Sequence, residues 1–222
     1  VQWSQFWAPL VLDGRVFVGG GSYGGMYGFD AVDGSQEWFS TTPWYDEWTP
    51  VSLDGRLYSQ LGDEFTQWAP ATGAELASVR LDEYPWLSYT MATTPALGEG
   101  AAVLVAGDDL VAIDLGTRTG RWQLEDGFTG SPSVANGFAY AIRDGDVVQV
   151  DLVRGDVVRT FPTATAAGKV VVTDDVLIAA SASQTWVYAI WDEAAPIAVL
   201  GRGGSLALGG GHLAVCDGTA LD

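Results

Sequence analysis

The sequence predicts an all-β fold, a β-propeller of four-stranded antiparallel blades. Three observations predict it: a pair of anchors that recurs about every forty residues, short apolar strands between glycine-rich turns, and no sustained helical period. The first anchor is a Pro followed five residues later by a turn Gly, as in Pro9 and Gly14, Pro50 and Gly55, Pro95 and Gly100, and Pro132 and Gly137. A small residue precedes each Pro (Ala8, Thr49, Thr94, Ser131), which suits an extended segment entering a strand. An apolar strand follows each Gly: Val16 to Val18, Leu57 to Ser59, Val103 to Val105, and Phe138 to Ala141.

A second turn and a third strand lead to the other anchor, an Asp that closes an apolar run. Met26 to Asp30, Leu110 to Asp114 and Val147 to Asp151 carry it. Eight residues beyond Asp30 stands Trp38, and eight beyond Asp114 stands Trp122. Between Asp and Trp lies a turn, Asp33-Gly34 in one copy and Thr119-Gly120 in the other. Degenerate copies place Ala69, Trp191 and Asp222 at the Asp position. The repeat units then run over residues 4–40, 41–79, 80–124, 125–161 and 162–200, with a last unit made of 201–222 plus 1–3.

A lone meander of this kind leaves two raw edges and an unburied face, and radial packing of blades removes both problems. The chain reads as a single propeller domain over 1–222. Six blades are expected, with an N-terminal strand at Gln2-Trp3 completing the last blade and Trp3 in the role of Trp38. The alternative is an excerpt from a seven- or eight-bladed ring.

The charge balance narrows the partners. With 28 Asp plus Glu against 10 Lys plus Arg, the net charge is −18, so polyanions are repelled. Nucleic acid is excluded as a ligand class, because its affinity comes from cations set against phosphates. Membrane insertion is not expected either, since no apolar run reaches the length of a span. The single Cys216 permits no internal disulfide and no cysteine-based metal site. The first residues are Val1-Gln2-Trp3, so no signal segment is visible.

Small-Pro, five steps to Gly, an apolar strand, apolar-x-Asp, Gly and then Trp: this unit resembles the repeat of the quinoprotein-like (PQQ-repeat) propellers. The resemblance implies structural roles. Asp30, Gly34 and Trp38, and likewise Asp114, Gly120 and Trp122, would shape the corner before the outer strand and pack between neighbouring blades. Ala69, Ala77, Arg159, Trp191 and Val199 depart from that pattern.

The family's dehydrogenases use PQQ with a divalent metal such as calcium, and many carry adjacent cysteines near the quinone. One Cys provides no such pair, so PQQ with calcium is disfavoured and the non-catalytic branch is expected. That branch implies an address outside the cytoplasm (periplasmic, cell-surface or secreted) and a scaffold or sensor role. Fold analogy does not choose between these.

Candidate chemistries are sparse. His212 is the only His and lacks partners for a catalytic dyad or a zinc site. Asp108-Asp109, Asp144 to Asp146 and Asp174-Asp175 lack the alternating oxygen ligands of a calcium loop and read as hairpin turns. The glycine runs at 19–21 and 209–211 read the same way, having no following helix or Lys. Asp46-Glu47 and Asp82-Glu83 are the visible carboxylate pairs for glycoside hydrolysis, but adjacent residues on a strand point to opposite faces.

Two aromatic clusters stand apart. Trp44, Tyr45 and Trp48 fall in one connection between blades; Tyr84, Trp86 and Tyr89 fall in the next. Consecutive connections emerge on the same side of a propeller, so the six residues are expected to form a recognition face for a protein partner. Rigid aromatic anchors dominate such surfaces, and the same rings suit stacking against a carbohydrate. The reading is a non-catalytic interaction scaffold; the alternatives are a quinone-dependent dehydrogenase fragment and a carbohydrate-binding or carbohydrate-active propeller.

Overall fold

The computed structural model describes residues 9–20, 25–41, 48–61, 64–81, 93–192 and 195–216. All the regular structure among them is β-strand. Two compact units divide the chain, Val1–Leu97 with Thr117–Thr119 and Gly98–Gly116 with Gly120–Asp222.

The first unit holds two sheets. Strands β1 (Leu10–Leu12), β2 (Arg15–Gly19), β3 (Met26–Asp30) and β4 (Gln36–Ser40) form one; β5 (Val51–Leu53), β6 (Arg56–Leu61), β7 (Glu64–Trp68) and β8 (Glu75–Arg80) form the other. Each is a meander in which sequence neighbours pair. Phe17, Met26 and Trp38 on one face of the first sheet meet Leu57 and Trp68 of the second, with Trp48 among them. Leu10 and Leu12 pack against this cluster from β1.

The third sheet, β9 (Ala96–Gly98), β10 (Ala101–Ala106), β11 (Asp109–Asp114) and β12 (Thr119–Leu124), falls mostly in the second unit. The fourth comprises β13 (Phe128–Ala135), β14 (Phe138–Arg143), β15 (Asp146–Asp151) and β16 (Val157–Phe161). The fifth comprises β17 (Lys169–Val172), β18 (Val176–Ala180), β19 (Thr185–Ala189) and β20 (Ala198–Leu200). A two-stranded sheet follows, β21 (Ser205–Gly209) with β22 (His212–Cys216).

The fourth sheet shows why its strands are apolar at consecutive positions. Ala139, Ala141, Val148 and Val150 join Val103, Leu110 and Ala112 of the third sheet in one core. Tyr140, Ile142, Val147 and Phe161 point the other way and join Leu177, Ala179, Trp186 and Tyr188 of the fifth. A sheet covered on both faces loses the apolar–polar alternation of a half-solvated one.

The pairing fixes the repeat register, and it corrects one assignment. Arg15 pairs with Asp30, Phe138 with Asp151 and Ala101 with Asp114. In the fifth sheet the matching pair is Val176 with Ala189. The residue after the anchor confirms it: the amides of Ala31, Leu115, Leu152 and Ile190 donate to the carbonyls of Gly14, Gly100, Gly137 and Asp175. Ala189 therefore holds the Asp position, and Trp191 lies two residues beyond, at a turn tip where it is 57% exposed. In the outer strand, Ala198 rather than Val199 occupies the Trp position, since it pairs with Val187 as Trp38 pairs with Gly28. The run Val187 to Trp191 ends two residues past the anchor, and the 190–197 turn is one residue longer than its counterpart at 31–37, so Val199 falls one residue past the Trp position.

The segments expected to close the last blade, residues 1–3 and 217–222, lie outside the described residues.

Candidate functional site

The repeat anchors build one local device three times. After each Asp the chain must turn sharply into the outer strand, and the Asp carboxylate accepts the amides that this turn would leave unpaired. Asp30 Oδ1 accepts from the amides of Val32 (2.7 Å) and Asp33 (3.2 Å). Asp151 Oδ1 accepts from Val153 (2.9 Å) and Arg154 (2.8 Å), and Asp114 Oδ1 accepts from Gly116 (2.9 Å). At Asp151 these bonds favour the ionised acid: the Arg154 amide foremost, with that of Val153, holds it below the usual aspartate range. Asp33 is lowered as well, first by its hydrogen bonding to Ser35.

Four residues past the Asp, the backbone must enter the left-handed region. Gly34, Gly73 and Gly155 do so, at φ 73°, 66° and 78°. In the third sheet the residue at this place is Arg118, at φ 60°. Gly120, assigned to the corner from sequence, lies within β12 and serves no corner there. The turn accepted a side chain at the left-handed position, and the glycine two residues on misled the pattern.

The outer strand then carries the joint to the next sheet. Trp38 Nε1–H donates to the Pro70 carbonyl at 2.9 Å, and Trp122 Nε1–H donates to the Leu152 carbonyl at 3.0 Å. Both acceptors sit one residue after the Asp position of the following sheet. The rings lie flat on glycine: a Cβ on Gly28 or Gly73 would collide with the Trp38 ring, and one on Gly155 would fall 2.7 Å from Trp122 Cγ.

Sequence reasoning missed the third joint. Arg159 pairs with Gln149 as Trp38 pairs with Gly28, so it occupies the Trp position of the fourth sheet. Its Nη1 donates to the carbonyl of Ile190 (2.8 Å), the residue after the anchor, and to that of Asp192 (2.8 Å). The guanidinium also lies over the Phe161 ring, 5.5 Å from its centroid. The eight-residue step from Asp151 was the available signal; its residue type concealed the role. Ala77, paired with Gln67 at the same place in the second sheet, has neither ring nor donor.

Of the six residues expected on a partner face, Trp44, Tyr45, Tyr84, Trp86 and Tyr89 lie outside the described residues. Trp48 is described and is only 1% exposed. It meets Phe17 and Trp38 edge-on, and its Nε1–H donates to Ser59 Oγ at 2.8 Å. Its assignment to a recognition face is therefore corrected: the ring is core. The reason is that Ser59, which also accepts from Trp68 Nε1 at 2.8 Å, satisfies the indole inside the protein.

The residues that follow the two aromatic connections are joined. Thr49 Oγ1 donates to the Thr93 carbonyl at 3.4 Å, and Thr93 Oγ1 donates to Gln60 Oε1 at 3.4 Å. Thr49, Thr93 and Gln60 thus form one polar cluster, in which Thr49 and Gln60 are buried. No sequence pattern announces these long-range bonds, which join residues 33 and 44 apart.

Other titratable groups are structural. Burial raises Tyr140, whose hydroxyl accepts from Gln149 Nε2 at 3.0 Å. Burial and then Asp146 push Tyr188 up to about 12, and its hydroxyl donates to the Pro162 carbonyl at 2.6 Å. Among the described residues one acidic trio has metal-like spacing, Asp108, Asp109 and Asp126. Its central member is engaged: Asp109 Oδ1 accepts from the Asp126 amide (3.0 Å) and Oδ2 from Gln123 Nε2 (2.6 Å). His212 opens β22 as an exposed strand residue, while Cys216 at its end is half-buried.

Comparison with known proteins places this architecture. Residues 4–161 match the family model described as outer membrane protein assembly factor BamB. The chain belongs to that family of PQQ-repeat propellers. No curated protein sequence matches it. Among solved structures, BamB from Moraxella catarrhalis is similar at 16% identity and a TM-score of 0.70, covering 93% of this chain and 65% of that one. A computationally designed protein, Ika8, is similar at 16% identity and a TM-score of 0.74, covering 95% of this chain and 67% of the other. The WD40 domain of Neurospora crassa Pan2 shares 9% identity at a TM-score of 0.65, over 84% of this chain and 63% of the other. The fold is a β-propeller, and the chain spans 65% of the length of the Moraxella BamB chain.

Proposed function

We propose that this chain is a non-catalytic propeller that works as a protein-interaction scaffold or sensor module outside the cytoplasm. Its contact face consists of the connections at 42–47 and 82–92, with Trp44, Tyr45, Tyr84, Trp86 and Tyr89 as anchors. The observation that carries the reading is the hydrogen-bonded cluster of Thr49, Thr93 and Gln60, whose threonines follow these two stretches in the chain, within a family described as an assembly factor. A rigid base lowers the ordering cost of any loop that binds a partner. Trp48 contributes from below, by fixing the base.

The acidity bears on the kind of partner. A net charge of −18 favours encounter with a basic protein surface and slows encounter with acidic ones. PQQ with calcium has no part in this reading, and neither does nucleic acid.

A photo-crosslinking amino acid placed at Trp86, and separately at the turn tip Val153, tests the proposal in the native host. Crosslinks to a defined protein from position 86 but not from 153 support it. Equal crosslinking from both, or none from 86, overturns it. A titration with PQQ and calcium addresses the enzyme alternative: a stoichiometric bound chromophore would replace the scaffold reading with a dehydrogenase one.

A further inference from the structure

Asn136 is the one asparagine in the chain, and it is followed by Gly137. It sits in the turn between β13 and β14, at a position where the first three sheets carry an acid: Asp13, Asp54 and Glu99. All four adopt the left-handed conformation, at φ 49°, 51°, 49° and 55° in chain order. An acid satisfies the turn elsewhere, so the amide at 136 has a separate use. Its Nδ2 donates to the carbonyl of Asp174 at 2.9 Å, bridging to the corresponding turn of the fifth sheet. A carboxylate has no proton to donate there.

The neighbouring amide is also engaged. Gly137 N–H donates to Glu99 Oε1 at 2.5 Å, so a carboxylate touches the one nitrogen able to attack the Asn136 side chain. In an Asn-Gly pair the deprotonated backbone nitrogen of Gly adds to the Asn Cγ. The new C–N bond closes a five-membered succinimide, and the side-chain nitrogen leaves as ammonia, taking up the proton given up by the amide. Water then opens the ring at either carbonyl and leaves aspartate or isoaspartate. Gly, lacking a Cβ, is the least hindered residue for this attack.

We propose that Asn136–Gly137 is a spontaneous modification site in the folded protein, with Glu99 as its brake. The attacking species is an anion, and a carboxylate in contact disfavours its formation as like charges do in general. Conversion of Asn136 removes the bond to Asp174 and sets a new negative charge against that carbonyl, so one of the links between the fourth and fifth sheets is lost while the shared core and the Arg159 bonds remain. The proposal is independent of the partner face.

The test is incubation of the folded chain at mildly alkaline pH, followed by mass spectrometry of the tryptic peptide Trp122–Arg143. A growing mixture of aspartate and isoaspartate at 136 is expected, slower than in the free peptide. Residue 136 persisting as asparagine while the free peptide is consumed overturns the site. Glu99→Gln, checked for a native far-UV spectrum, is expected to speed conversion several-fold; an unchanged or slower rate overturns the brake. Asn136→Asp should lower the melting temperature by a few degrees, and an unchanged value would show that the Asp174 bond carries no weight.

Discussion

The joint between the first and second sheets and the joint between the fourth and fifth solve one problem with different chemistry. In the first, Trp38 lies between Gly28 and Gly73 and reaches the Pro70 carbonyl. In the other, Arg159 reaches the equivalent carbonyl of Ile190, gains Asp192 as well, and rests on Phe161. The position thus asks for a flat group with an N–H at its far end. Tryptophan meets the demand mainly through buried area, arginine through charge-assisted hydrogen bonds and a stacked ring. The ring adds to the left-handed backbone's preference for glycine: Gly73 and Gly155 face Trp38 and Trp122, whereas the turn that receives Arg159 contains no glycine.

The largest expected effect is from Trp38→Ala, which opens a cavity in the cluster shared by Phe17, Trp48 and Leu57. A loss of about 3–5 kcal/mol is expected from denaturant unfolding, with the near-UV signal of the tryptophan cluster changed. Gly73→Ala should follow at about 1–3 kcal/mol, since it strains a left-handed residue and drives a methyl into the ring. The matching change Gly34→Ala meets no neighbour and tests the strain by itself. If both alanines cost the same, the ring contact is irrelevant.

Arg159→Ala should cost about 1–3 kcal/mol through the lost carbonyl bonds. Arg159→Trp sharpens the comparison. It should recover less than half of that loss, because no glycine lies opposite to receive the ring; full recovery would show that the two chemistries are interchangeable. The smallest effect concerns pH. Asp151 is lowered in the folded state, so its contribution is whole above the ordinary aspartate value and is lost as pH falls through the depressed one. Asp151→Asn should therefore lower the melting temperature most at neutral pH, where that contribution is whole, and converge on the parent well below about pH 4, flattening the acid limb of the profile.

Much of the architecture was legible because repeats write themselves into spacing. Pro to Gly, Asp to Trp and the apolar strands between them marked the sheets before any coordinates were known. Errors arose where a turn changed length or a residue type changed while its position did not. Trp191 reads as an anchor because the apolar run continues past Ala189 through the buried Ile190, Gly120 as a corner because Arg118 tolerates the left-handed conformation, and Arg159 as a mere departure because guanidinium does not look like indole. At the candidate face, Trp48 looked like its aromatic neighbours in the chain, yet Ser59 gives its indole an internal partner.

The amino-acid sequence by itself determined the repeat, the strands and the Asp-built corners, because these depend on local conformation. The tertiary structure decided that Trp48 is buried, which residue serves each joint, and that Thr49 meets Thr93 across 44 residues of chain. Those outcomes depend on partners tens of residues away, and a carbonyl in another sheet leaves no mark on the spacing of the residue that binds it.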